Sequence, residues 1–140
     1  MRYAVATLCD FAQVRENLLF VSGGGITRAT RVRFPADLEL MLALSIEVSD
    51  IELSEPLELR VRVESADGEE LAQILGVVQG KLSGLDPGET QELALPLDLR
   101  RVILPVEGRY MIRVNAPGWD LGEVCLSFKA VLAQPDSTLF

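Results

Sequence analysis

The carboxylates in two polar connections are the residues of this sequence best suited to chemistry. Asp50, Glu52 and Glu55 fall in one connection, and Asp67, Glu69 and Glu70 in another. Their oxygens are hard ligands of the kind that holds calcium. The two connections flank one stretch of alternating residues, 57 to 64, and so belong to opposite ends of it. They do not make one site, whereas Asp86 and Glu89, from a later turn, can join the first group. That leaves Asp50, Glu52, Glu55 and Asp86 as the calcium candidates. Solvated turn residues are the plainer reading of all of them, and no cofactor is expected.

Other reactive groups are sparse. The chain has no histidine, which removes imidazole acid/base catalysis, the serine and cysteine triads that depend on it, and every histidine metal ligand. Asp10 is the one charge in an apolar stretch, flanked by Cys9 and Phe11; it reads as a hydrogen-bond acceptor at a strand end rather than half of an acid/base pair. Cys9 and Cys125 show no CxxC or zinc spacing. They read as reduced core thiols of the first and last strands, facing each other. Trp119, the only tryptophan, sits in a turn. It is either an anchor for a partner or a sugar, or a plug over one end of the core. Gly23, Gly24 and Gly25 interrupt a strand pattern, which marks a bend, a bulge or a close backbone approach. No Lys-Ser/Thr and no helix follow them, so a phosphate loop is the weaker alternative.

Charge narrows the choice of partners. The formal net charge is −8, yet residues 1–35 carry Arg2, Arg15, Arg28, Arg31 and Arg33 against Asp10 and Glu16, or +3, leaving −11 for the rest. An acidic bulk with only three clustered arginines argues against nucleic acid, which needs a basic footprint. Residues 1–10 make a poor signal peptide, and no run reaches the roughly 18 apolar residues of a membrane span. A cytoplasmic setting without membrane attachment is expected. Mean hydropathy is nonetheless +0.25, high enough that part of the apolar excess is expected to cover a partner's surface.

These residues must be positioned by strands. Leu38, Leu40, Leu42, Leu44, Ile46 and Val48 occupy every even position of one stretch, a period of two that predicts a strand with a single oily face. Leu57, Leu59, Val61 and Val63 alternate with Glu58, Arg60, Arg62 and Glu64 in a second. Asp67-Gly68 predicts a hairpin from that strand into 71–78. Leu93 to Leu99 alternates again, but Pro96 cannot donate to a ladder, so this is an edge or bulged strand. Tyr110, Ile112 and Val114, then Val124, Leu126, Phe128 and Ala130, complete the pattern. At the start, 3–14 and 18–21 read as a hairpin.

Two resemblances add to this reading. Gly108-x-Tyr110 before an alternating strand resembles the tyrosine-corner region of immunoglobulin-like sandwiches, with Ile112 where the antibody type has its second cysteine. The chain as a whole is similar to an uncharacterised family of small bacterial β-sandwich proteins. Leu8-Cys9-Asp10-Phe11-Ala12, the triple glycine after a short hairpin, and Glu107-Gly108-Arg109-Tyr110 carry that likeness. It implies neither an activity nor catalytic residues.

The expectation is an all-β, single-domain antiparallel β-sandwich of about eight strands, immunoglobulin-like or jelly-roll-like, over residues 1–132 with a loose tail at 133–140. It is expected to be no enzyme but a binding or scaffold module acting through protein contacts, as a homodimer or with another protein. Trp119 and Gly23 to Gly25 are its interaction candidates. A calcium- or carbohydrate-binding sandwich is the alternative.

Overall fold

Alternating aliphatic residues dictate strands here, and the computed structural model, which describes residues 1–49, 55–78 and 86–134, contains no helix among them. One sheet has the order β2-β1-β5-β8, formed by β1 (Arg2–Arg15), β2 (Leu18–Gly24), β5 (Met41–Ser49) and β8 (Thr90–Asp98). A second has the order β3-β11-β10-β6-β7, from β3 (Arg28–Arg31), β6 (Leu57–Ser65), β7 (Glu70–Val78), β10 (Gly108–Asn115) and β11 (Glu123–Leu132). A short pair, β4 (Ala36–Asp37) with β9 (Ile103–Leu104), stands apart. Leu42, Leu44, Ile46 and Val48 of the first sheet share one buried cluster with Leu57, Leu59, Val61, Val63, Ile112 and Phe128 of the second. The arrangement is consistent with a sandwich, in which each sheet covers the oily face of the other.

Three details depart from the sequence-based expectation. Pairing is antiparallel except between β3 and β11, which run parallel, because the chain crosses from one sheet to the other after Gly25 and arrives at β11 in the same sense. Strand β5 begins at Met41 rather than Leu38. Glu39 has a positive φ of 57°, and Leu38 and Glu39 donate to the Val102 and Arg100 carbonyls instead of joining the ladder. The oily face of β5 is not its only buried one: Met41, Ala43 and Ser45 are buried as well.

Local signals elsewhere hold. The β6–β7 hairpin turns through Asp67-Gly68, where Gly68 has φ 88°. Strand β8, with Pro96 inside it, is an edge. The Tyr110 hydroxyl donates to the Val106 carbonyl and accepts the Val106 N–H at 3.3 Å, the geometry of a tyrosine corner. The Tyr110 ring stacks on Phe128 at 5.6 Å between centroids. Of the expected tail, Ala133 is tied to the Arg31 carbonyl at 2.8 Å, and residues 135–140 lie outside the described residues.

Candidate functional site

The site with most to offer is the β1–β2 hairpin. Its turn, Glu16-Asn17, has φ values of 50° and 63°, the signature of a two-residue type I′ connection. Cys9 pairs with Met41, and β1 then runs on beyond the start of β5. From there the hairpin leaves the sheet plane. Ala12 and Leu19 share a small buried cluster with Cys9, Met41 and Ala43, residues whose parity places them on the face away from the main core. Near the tip, Val14 and Asn17 line a cavity of about 250 Å³ with Gln91 to Leu95 of β8 and with Val77 and Val78. The hairpin thus curls over the outer face of its own sheet and reaches the far edge strand.

The triple glycine makes that curl possible. Gly23 has φ 64°, and a Cβ there would stand 2.9 Å from a carboxylate oxygen of Asp10. Gly25, with φ 79°, donates its N–H to Thr7 Oγ1 at 2.7 Å. Ile26 still bonds the Leu8 carbonyl at 3.0 Å, after which the chain crosses to β3. The glycines are therefore the corner itself. Asp10 is exposed, its carboxylate lying in the space that Gly23 leaves.

Part of what the curled hairpin presents to solvent is apolar. Phe11 and Phe20 are each 45% exposed and Leu18 60%, and the Arg15 guanidinium lies over the Phe20 ring at 5.7 Å. Strand β2 is the sheet's outer edge, and Leu18 to Gly24 carries no charge. In a two-residue hairpin the pair flanking the turn exchanges hydrogen bonds, and such pairs then alternate with unbonded ones. Given the pairing of Arg15 with Leu18, the backbone groups of Leu19, Val21 and Gly23 point away from β1.

The other sequence-derived candidates are scattered. Asp50 and Glu52 lie outside the described residues. Glu55 and Asp86 are exposed, and the Asp86 N–H is bonded to Glu89 Oε2 at 2.8 Å within its own turn. Among the described residues no three histidine, cysteine, aspartate or glutamate side chains converge as a metal site would require. Trp119 is half-buried and packs against the main core. The two cysteines do not face each other: Cys9 is buried beneath the hairpin, whereas Cys125 is exposed on the outer face of the second sheet, and both are free. Cys125 alternates with Val124 and Leu126, which pack on the core, so its parity already pointed outward. The Cys9 thiol donates to the Met41 carbonyl at 3.4 Å, and burial pushes it up from the usual thiol range.

A charged network escaped the sequence reading in part. Parity sets Arg62 and Glu64 on one face of β6, whereas nothing along the chain sets Glu123 beside them. Arg113 bonds Glu64 at 3.1 Å and Glu123 at 2.9 Å, and Arg62 approaches both at 3.5 Å. The carboxylates beside Arg113 push its guanidinium further up. Glu123 lies on β11, two strands from β6, and only the sheet order brings it there.

Comparison with known proteins places the chain in one group. The model of a family of unknown function, DUF6941, matches residues 4–128. No curated protein matches the chain.

Proposed function

We propose that this chain, which belongs to the DUF6941 family, is a non-catalytic binding module that works by protein–protein contact, with a second copy of itself as the first partner. We read its sandwich as immunoglobulin-like, on the strength of the tyrosine corner at Tyr110. The observation that carries the proposal is the uncharged edge of β2, with Leu18, Phe20 and Val21 exposed. Edge strands left open in this way invite another strand unless charge, proline or a bulge guards them. Gly23 bends one end of this edge, and no charge protects the remainder.

The strand is also complementary to itself. Antiparallel pairing about a twofold axis at Val21 sets Leu18 against Gly24, Leu19 against Gly23 and Phe20 against Ser22, each large side chain opposite a small one. The outward backbone groups of Leu19, Val21 and Gly23 are symmetric about the same point. Twofold dimers are the commonest closed assembly, and at physiological salt a net charge of −8 opposes association only over a Debye length of about 8 Å.

Light scattering coupled to size exclusion tests this. The expected mass is about twice the 15.3 kDa of one chain, with Val21→Lys reverting to one chain while keeping its fold. A wild-type mass of one chain that does not change with concentration would remove the reading.

A further inference from the structure

Three cations stand side by side on the outer face of the second sheet. Arg109 of β10 is directly opposite Lys129 of β11, and Lys129 is directly opposite Arg28 of β3. Their sequence neighbours Tyr110, Ala130 and Ala29 are buried in the core, so all three side chains point outward, and all are exposed. With strands about 4.8 Å apart, the row is roughly 10 Å long.

Like charges placed directly opposite each other destabilise a sheet, and where they occur elsewhere among the described residues, as Arg113 opposite Arg62 or Glu47 opposite Glu92, a neighbouring group of opposite charge or a hydroxyl donor answers them. Arg62 and Arg113, farther along the same face, are compensated by Glu64 and Glu123. Arg2, Arg31 and Arg100 are paired with Glu47, Glu39 and Asp98. Among the described residues no carboxylate forms an ion pair with Arg28, Arg109 or Lys129. Glu107, two positions before Arg109, is engaged by the Leu132 N–H at 2.7 Å. An uncompensated basic row thus persists on a chain of net charge −8.

We propose that this row docks an acidic segment of a partner protein, whose carboxylates engage Arg109, Lys129 and Arg28 in turn. Charge complementarity selects the occupant's sign, and the shape of the surface selects its kind. On an open sheet face a lone small anion keeps most of its water, so an array of linked carboxylates is favoured. A long polyanion would extend past the row towards a chain that carries −11 over residues 36–140, whereas a short acidic run spans the row alone. Thr30 and Ser127, two positions from Arg28 and Lys129 on the same strands, set hydroxyls beside it. This surface is separate from the β2 edge, and its test is independent of self-association.

Fluorescence anisotropy of a labelled oligoglutamate titrated with the full chain is the experiment. Binding is expected at low salt, weaker by at least about tenfold as ionic strength rises from about 0.05 M to about 0.5 M, and lost in Lys129→Glu. That variant should melt no lower than the wild type, because it gives Arg109 and Arg28 an opposite charge; Arg28→Gln, which weakens binding without reversing charge, is the second variant. No binding by the wild type at low salt, or equal binding by Lys129→Glu, overturns the proposal. Phosphatidylserine vesicles or single-stranded DNA bound more tightly than oligoglutamate, and released by Lys129→Glu, overturn the choice of occupant.

Discussion

Asp10 and Gly23 lie against each other at the corner of the β1–β2 hairpin, so closely that a Cβ on Gly23 would come within 2.9 Å of an Asp10 carboxylate oxygen. Two separate penalties follow from a side chain there. One is the crowding, which the flexible Asp10 side chain can relieve; the other is the φ of 64°, which nothing nearby can relieve. Gly23→Ala is therefore expected to cost about 1–2 kcal/mol from the left-handed backbone alone. Adding Asp10→Ala should recover only the remainder. Denaturant unfolding of both variants measures this, and full recovery in the double variant would show that crowding was the whole effect.

Ala43 discriminates between the strand pattern and the fold. By parity it lies on the polar face of β5, where a charge would be tolerated; under the hairpin it is fully buried. Ala43→Glu should destabilise by about 3 kcal/mol or more, the cost class of an unpaired buried charge. Leu42→Asp, on the core face, should abolish soluble folding. If thermal melts show Ala43→Glu to be neutral, the hairpin does not cover this face in solution.

The two arginines of the charged network are expected to differ. Arg113 makes the short contacts to both carboxylates, one of them the buried Glu64, whereas Arg62 stays at 3.5 Å from each. Both guanidinium groups are mostly shielded but not enclosed, so the effects are modest. Arg113→Met should destabilise more than Arg62→Ser, whose cost should be no more than about 0.5 kcal/mol. Chemical denaturation ranks them, and the reverse order would contradict the geometry.

Asp98 provides a pH signature. Arg100 grips its carboxylate through two guanidinium bonds of 2.9 and 3.0 Å and a backbone N–H at 3.0 Å, and these hold the group down at about 2. A depressed carboxylate stabilises the fold above its unfolded value and loses that contribution as pH falls through its folded value. The window is thus from about pH 4 down to about pH 2. The pair is half exposed, so the gain is small. Carboxyl NMR should titrate Asp98 near 2 in the wild type and markedly higher in Arg100→Ala. An unchanged midpoint would show that Arg100 is not the cause.

Much of this architecture is present in local patterns, because a period of two is a property of neighbouring residues and needs no distant information. The parity of Leu42 to Val48, of Leu57 to Val63 and of Tyr110 to Val114 names the core face of three strands, and Asp67-Gly68 names the turn after the second by backbone chemistry. Pro96 marks an edge because it lacks a donor, and Tyr110 announces its corner through a spacing of a few residues. Other features arise only when distant segments meet. The burial of Cys9 and Ala43 depends on a hairpin folding back across its own sheet, which no alternation encodes. The Glu64–Arg113–Glu123 network depends on β10 lying between β6 and β11. The row of Arg28, Lys129 and Arg109 exists only because β3 crosses over to pair in parallel with β11, setting side by side three charges that are far apart along the chain.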